Sequence, residues 1–362
     1  MSETTLTAEK VKHFAVEAGQ VDLVGIGNIE RWEGAPRDMD PRTIMPRARS
    51  VVVFVKRILR GCYRGIDEGT HWPSYTAFGY AGLGRMLGKA NYKLCRYIED
   101  HGYEAAPMSP VATTRECGPR GPKVAPDKPR REVAIHHRIA AVLAGVGEMG
   151  WSKVLLTEEL GPRQRIGILL TDAELEPDPV RVGCICDRCK RCVAECPGGA
   201  IPKDKSVSLD VEGGTLEWGD LDLGKCKLTH FGLNRRSAPF LIKRFPGLNL
   251  PIDQQSVTWL ESWDLGWAIF PSVAAYKALT DRGVPALCGA RGCIIACMKH
   301  LEEKGLVRNT FRTRKVFSEK EPWCLPEKPG ELEHHGFVYD PDTDEDILDK
   351  FAEKAFTSST WY

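Results

Sequence analysis

Between Cys186 and Pro197 the chain reads C-D-R-C-K-R-C-V-A-E-C-P, four thiols at Cys-x2-Cys-x2-Cys-x3-Cys spacing with a proline after the last. Three thiolates separated by two residues can wrap one face of an iron–sulfur cubane, and the fourth points away toward a second centre. Zinc is the rival, because Cys-x2-Cys pairs bind it too. The 2-2-3 spacing and the terminal proline favour iron and sulfide. A second group follows at Cys226, Cys288, Cys293 and Cys297. The chemistry these eight residues imply is one-electron transfer through two [4Fe–4S] clusters.

The order of the second group resembles a bacterial ferredoxin motif that has been split. On that pattern Cys297 reaches back to complete the cluster of Cys186, Cys189 and Cys192, while Cys196 joins Cys226, Cys288 and Cys293 around the other. Four residues separate Cys288 from Cys293 where two are usual, and Met298 stands where proline usually follows. Cys184 and His300 therefore stay open as alternative fourth ligands. Cluster thiolates need shielding from water and hydrogen bonds to sulfur. The nearby GGA (198–200) and GAR (289–291) offer backbone N–H groups for that. Of 13 cysteines, Cys62, Cys95, Cys117, Cys184 and Cys324 remain, most simply as small buried apolar side chains.

The 362 residues carry 50 Lys and Arg against 49 Asp and Glu. A net charge of +1 gives no whole-protein reason to expect nucleic acid or an anionic membrane as partner. The sequence has no apolar run long enough to span a bilayer. The N-terminal segment has neither a basic stretch ahead of an apolar one nor a twin arginine. A cytoplasmic location is the expectation, and there so many cysteines argue for metal thiolates over disulfides.

These thiols need a scaffold. Residues 8–18 have helical periodicity, with Thr7 as N-cap and Gly19 as stop. VDLVGIG (21–27), SVVVFV (50–55) and RIGILLTD (165–172) read as strands, the second buried on both faces. A Gly/Tyr-rich stretch (61–84) precedes a helix near 85–101 and an extended piece at Tyr103–Pro107. The Pro-rich residues 108–130 form a loop suited to a lid or partner surface, and 132–146 a further helix. The expectation is an α+β fold in three parts. Residues 1–180 form an α/β domain. Residues 181–301 form a ferredoxin-like two-cluster domain, interrupted by a long insertion at 227–287. Residues 302–362 form a wrapping tail with a short helix at 343–355. In the insertion Trp259, Trp263 and Trp267 share one helical face. That face is either a core stripe or an aromatic wall for a flat cofactor, with Trp259 and Trp263 as the cofactor-binding candidates.

Further segments carry a wider resemblance. AGVGEMGWSKVLLTEELGPRQRIGILLTDAELEPD (144–178) leads directly into the cysteine run; VDLVGIGNIERW, IMPRARSVVVFV (44–55) and DHGYEAAP (100–107) precede it. Together these resemble the cobalamin-dependent reductive dehalogenase family over roughly residues 20–300, with the tRNA epoxyqueuosine reductases as sister group. The long 227–287 segment leans toward the dehalogenases. The resemblance implies a nitroreductase-like domain that binds a corrinoid, with the clusters feeding it electrons from an external low-potential donor such as ferredoxin or flavodoxin. It implies reduction of a small organic substrate, halogenated compounds among them. A tRNA-modifying enzyme is the alternative, and a non-catalytic two-cluster electron carrier the second. The family's respiratory members begin with a twin-arginine signal that is missing here. Where epoxyqueuosine reductases carry an acidic proton donor, this chain has Arg131 and Glu132.

Reductive removal of a leaving group needs a proton donor and a cation. From placement relative to the family, Tyr92 is the candidate donor among Tyr75, Tyr80, Tyr92, Tyr97 and Tyr103. Arg163 in GPRQR and Arg131 are the candidate cations. His136 and His137 face different ways on a helix, so at most one lines a pocket. For tRNA, the basic set Arg120, Lys123, Lys128, Arg130, Arg235, Arg236 and Lys243 would be the electrostatic footprint.

Overall fold

A computed structural model describes residues 5–37, 39–68, 71–109, 125–127, 133, 135–238, 246–250, 257–269 and 286–310. Arg131, most of the 108–130 loop, parts of the insertion and the tail beyond 310 lie outside the described residues.

Helix α1 (Ala8–Glu17) starts at Thr7, whose hydroxyl accepts from the Lys10 amide, and buries Ala8, Val11 and Ala15. Strand β1 (Leu23–Asn28) is followed by β2 (Ser50–Arg57), which is buried from Ser50 through Lys56. The Gly/Tyr-rich stretch is helical, a point the sequence hid. It forms α2 (Gly61–Glu68) and then a nine-residue π-helical run, Ser74–Gly82, that passes straight into α3 (Leu83–Glu99). A π-helix fits neither the 3.6-residue period nor the period of two, so no pattern betrayed it. Then come β3 (Ala105–Pro107), α4 (His137–Leu143), and the short strands β4 (Glu148–Met149) and β5 (Leu155–Leu156). Strand β6 (Gln164–Thr171) closes the region, and α4 is shorter than the 132–146 expected.

The central sheet runs β1-β2-β6-β3 and every pairing is antiparallel. The chain makes an antiparallel sheet covered on both faces. Val51, Val53, Val55, Ile168 and Leu170 point to one face, where α4 and Trp32 cover them. Val52, Phe54 and Leu169 point to the other, against α1 and α3. Two covered faces explain why SVVVFV lacks polar alternation. Gly167 lies opposite Phe54, and a side chain there would meet the phenyl ring at 2.3 Å.

Past the sheet, a single helical turn, α5 (Arg191–Ala194), lies within the cysteine run. A hairpin of exposed β7 (Ser206–Val211) and β8 (Gly214–Gly219), which buries Leu216 and Trp218, precedes α6 (Leu223–His230). Helix α7 (Trp259–Ile269) packs on α6. A second π-helical turn, Arg291–Ile295, opens α8 (Ala296–Glu303). Trp72 ties the two regions, its indole N–H donating to the Leu287 carbonyl at 3.0 Å.

Candidate redox site

The two cysteine groups meet through three chain segments. In the first, Arg188 and Lys190 both take left-handed φ angles of 56° and 61°, which curl Cys186–Cys192 into a tight loop. Such strain, of order 1–3 kcal/mol per residue, persists only where surroundings enforce it. In the second, α6 carries Cys226. In the third, Gly289 and Ala290 take φ of 59° and 52° to turn Cys288 back toward the π-helical turn with Cys293, and α8 carries Cys297. Gly292 lets the first and third segments touch: a Cβ there would lie 2.5 Å from the Cys196 Cα.

The thiols sort into two quartets. Burial pushes the Cys297 thiol up, and Cys186, Cys192 and Cys189 beside it add to the rise. Cys192, pushed up to about 11 by burial, also has Cys186 and Cys189 as neighbours. The second set is Cys196, Cys226, Cys288 and Cys293. Burial lifts Cys226 to about 12 and Cys288 to about 11, with Cys196 near both; Cys293 rises further with Cys288, Cys226 and Cys196 against it. Cys189 and Cys226 both keep accessible surface, but protein surrounds the thiols of Cys226, Cys288 and Cys293 completely and that of Cys189 only in part, so the set with Cys297 is the outer one.

The donor set fits iron–sulfur clusters. Backbone amides aim at sulfur: Trp151 at Cys186, Ala200 at Cys196 and Ala290 at Cys288, each at 3.4 Å. Two of these come from the GGA and GAR segments. Four neighbouring thiols repel one another as thiolates, and a polycationic iron core removes that penalty. Glu148, 2% exposed, sends its carboxylate to the amides of Cys184, Ile185 and Cys186 and so fixes the start of the loop. His300 lies at the outer quartet, its Nε2 2.7 Å from Asp187 Oδ2, and the ligand atoms of Asp187, Cys189 and His300 fall within 4.8 Å of one another. It is therefore placed away from the inner set. Cys184 is exposed, whereas Cys62 and Cys95 are buried.

Beside the inner quartet is a group that residue spacing did not announce. Tyr80, on the first π-helical run, has the Arg165 guanidinium 4.1 Å from its ring centre and the His230 imidazole at 5.3 Å. Arg138 donates to the Lys153 carbonyl at 2.6 Å, and burial lowers its pKa while Cys293 and Cys226 counteract. Cys226 keeps accessible surface although protein surrounds its thiol. The His230 Nε2 is buried with no hydrogen-bond partner, and burial holds that imidazole neutral, its pKa well below the usual histidine value. Tyr63, fully buried, and Tyr75 continue the row, with centroids 5.2 Å apart and then 6.2 Å to Tyr80.

The other candidates sit as follows. Tyr92 on α3 is 67% exposed. Arg163 is fully buried and donates to the Ile58 carbonyl (2.9 Å) and Asn309 Oδ1 (2.7 Å). Trp259 stacks on Trp263 at 5.1 Å, and Trp263 and Trp267 set their edges against Phe231. The Lys227 ammonium lies 4.1 Å from the Trp263 ring centre. His136 caps α4, its Nδ1 accepting from the Ile139 amide, and His137 donates to the Ser109 carbonyl.

No protein-family model matches the chain. A tetrachloroethene reductive dehalogenase of Desulfitobacterium hafniense is 32% identical over 167 residues, 45% of this chain and 25% of that protein. An epoxyqueuosine reductase of Gloeobacter violaceus is 26% identical over 175 residues, 47% of each chain. Among solved structures, a catabolic reductive dehalogenase in complex with 3-bromo-4-hydroxybenzoic acid aligns with a TM-score of 0.46 at 20% identity, over 80% of this chain and 38% of that one. The chain resembles both groups, and its match spans a quarter of the dehalogenase's length and about half of the epoxyqueuosine reductase's.

Proposed function

We propose that this chain is an iron–sulfur reductase in which two [4Fe–4S] clusters pass electrons to a corrinoid that reduces a small organic substrate, halogenated compounds among them. The observation that carries this reading is the inner cysteine quartet set beside half-buried Tyr80, whose ring carries the Arg165 guanidinium. The outer quartet, reached through exposed Cys189, is the place for an external ferredoxin- or flavodoxin-class donor to deliver electrons. A corrinoid, flat and rimmed with amides, would pack against Tyr80, His230 and the indoles of Trp259 and Trp263, with Arg138 and Arg165 meeting polar groups. When bound it supplies a low-valent cobalt able to break a carbon–heteroatom bond reductively.

The protein's own part is proton and anion handling. Tyr80 holds the proton at its hydroxyl, in preference to the exposed Tyr92, and Arg165 and Arg138 offer charge to the phenolate left behind. The same guanidiniums receive the departing anion. Arg163, engaged with backbone carbonyls, holds the start of β6 against the 307–310 segment. The low-dielectric surroundings strengthen each of these interactions.

Anaerobic reconstitution with iron, sulfide and cobalamin tests the proposal. The expected result is about eight iron atoms per chain and a protein-bound Co(II) signal by electron paramagnetic resonance. Zinc in place of iron, or cobalamin that passes through unbound, overturns it. The match to an epoxyqueuosine reductase over an equal share of both chains supports a second reading, reduction of a modified tRNA base. Tight tRNA binding that weakens steeply with salt would favour that one.

A further inference from the structure

The two quartets differ in the charges that face them. Lys227 follows Cys226 on α6, and its ammonium is enclosed by aromatic rings, 4.1 Å from Trp263, 4.8 Å from Phe231 and 5.7 Å from Trp259. Arg291 stands two residues before Cys293, 5.5 Å from the Trp72 ring, and donates to the Ile66 and Arg236 carbonyls. Arg138 comes from α4 on another side. The leading charged groups other than cysteine against Cys226 are Arg138 and Lys227, and against Cys288 they are Arg291 and Lys227. At the outer quartet the leading such charge against Cys189 and Cys297 is the Asp187 carboxylate. Asp187 is tied there by the Cys189 amide (3.1 Å) and His300. Half-buried Lys190 also reaches Cys192 and Cys186 and partly offsets Asp187, which is itself exposed, so the contrast between the quartets rests chiefly on the buried cations at the inner one.

A buried cation favours the reduced, more negative form of a nearby cluster, and a carboxylate disfavours it. Lys227 is suited to this task because ring faces stabilise its charge without neutralising it. We propose that Lys227 and Arg291, opposed by Asp187 at the outer quartet, set the order of the two reduction potentials, so that the outer centre is the weaker electron acceptor and the inner centre draws the electron inward. The inference rests on the two-cluster reading above. The step it governs is one electron leaving the outer centre, which is oxidised by one, and entering the inner centre, which is reduced by one. No proton or other atom moves, and an external low-potential one-electron carrier replaces the electron.

The test is a redox titration of the full reconstituted chain, followed by electron paramagnetic resonance. Wild type should show two waves, and Cys226→Ser should abolish the one at higher potential. Lys227→Gln should shift that wave downward and leave the other in place, while Lys227→Arg leaves both. Asp187→Asn should raise the lower wave alone. If Lys227→Gln fails to hold iron, Arg291→Gln on a separate element carries the same expectation. The proposal is overturned if Cys226→Ser removes the lower wave, or if the charge-removing variants move neither wave or both equally. A wild-type chain that takes up no iron instead sinks the two-cluster reading, and the proposal with it.

Discussion

Glu148 is the residue on which the outer cysteine loop turns. Its carboxylate accepts three successive amides, from Cys184 to Cys186. Hydrogen bonds to a charged group are worth about 1.5–3 kcal/mol each. Glu148→Ala should therefore destabilise the chain by at least about 3 kcal/mol and lower iron occupancy of the outer quartet first. Urea unfolding and metal analysis check this, and full iron content in the variant would contradict it. The sequence displayed Glu148 inside a family-like GE-x-G passage but offered no reason for it. The eight ligand candidates were legible because thiol spacing is itself the signal. Arg138 and Arg165 were not, and Tyr80 stood out only as one of five tyrosines, since the three come from a short helix, a strand and a π-helical run that only folding brings together.

At the scale of elements, α4 depends on an unusual cap. His136 accepts the Ile139 amide through Nδ1, so the ring must be neutral there. Burial, with Lys153 and Arg138 beside it, lowers its pKa to about 3; burial takes His137 to about 4. The folded chain thus leaves both unprotonated where the unfolded chain, titrating near the ordinary 6.5, takes up protons. Stability is fully present above that value and falls as pH drops from 6.5 toward 4, by about 1.4 kcal/mol per pH unit for each proton. His136→Asn keeps a good N-cap and removes one titrating ring. Its unfolding free energy should match wild type at pH 7 and exceed it at pH 5.5, and equal losses in both proteins would refute the assignment. The contact between the first and third cysteine segments makes a second prediction at this scale. Gly292→Ala places a methyl 2.5 Å from the Cys196 Cα and 2.6 Å from its nitrogen, backbone atoms that cannot swing aside. About 1–3 kcal/mol of overpacking follows, and iron content together with thermal melting should show both quartets weakened.

Across the whole molecule, the sheet region and the cysteine region differ in what holds them. The sheet is packed on both faces by large apolar clusters built from Val51–Val55, Ile168–Leu170 and the helices over them. Those strands were readable because continuous β-branched runs have one explanation. Apart from the core that Leu287, Ile295 and Met298 share with the 58–83 stretch, the described residues of the cysteine region form small clusters, and in one of them Cys192 and Cys196 are two of the five buried members. Its cohesion must come from metal, because binding free energy at such sites is folding free energy. Removing iron should therefore unfold the chain in parts rather than at once. Hydrogen exchange on iron-free protein should show amides of 184–238 and 286–310 losing protection while β1, β2 and β6 keep theirs. The region 61–83 should loosen partway, since Ile58, Tyr63 and Trp72 pack against Leu287 and Ile295 in a shared core. Uniform loss across the sheet would mean that the two regions fold as one unit, and unchanged protection throughout would mean that the thiols cohere without iron.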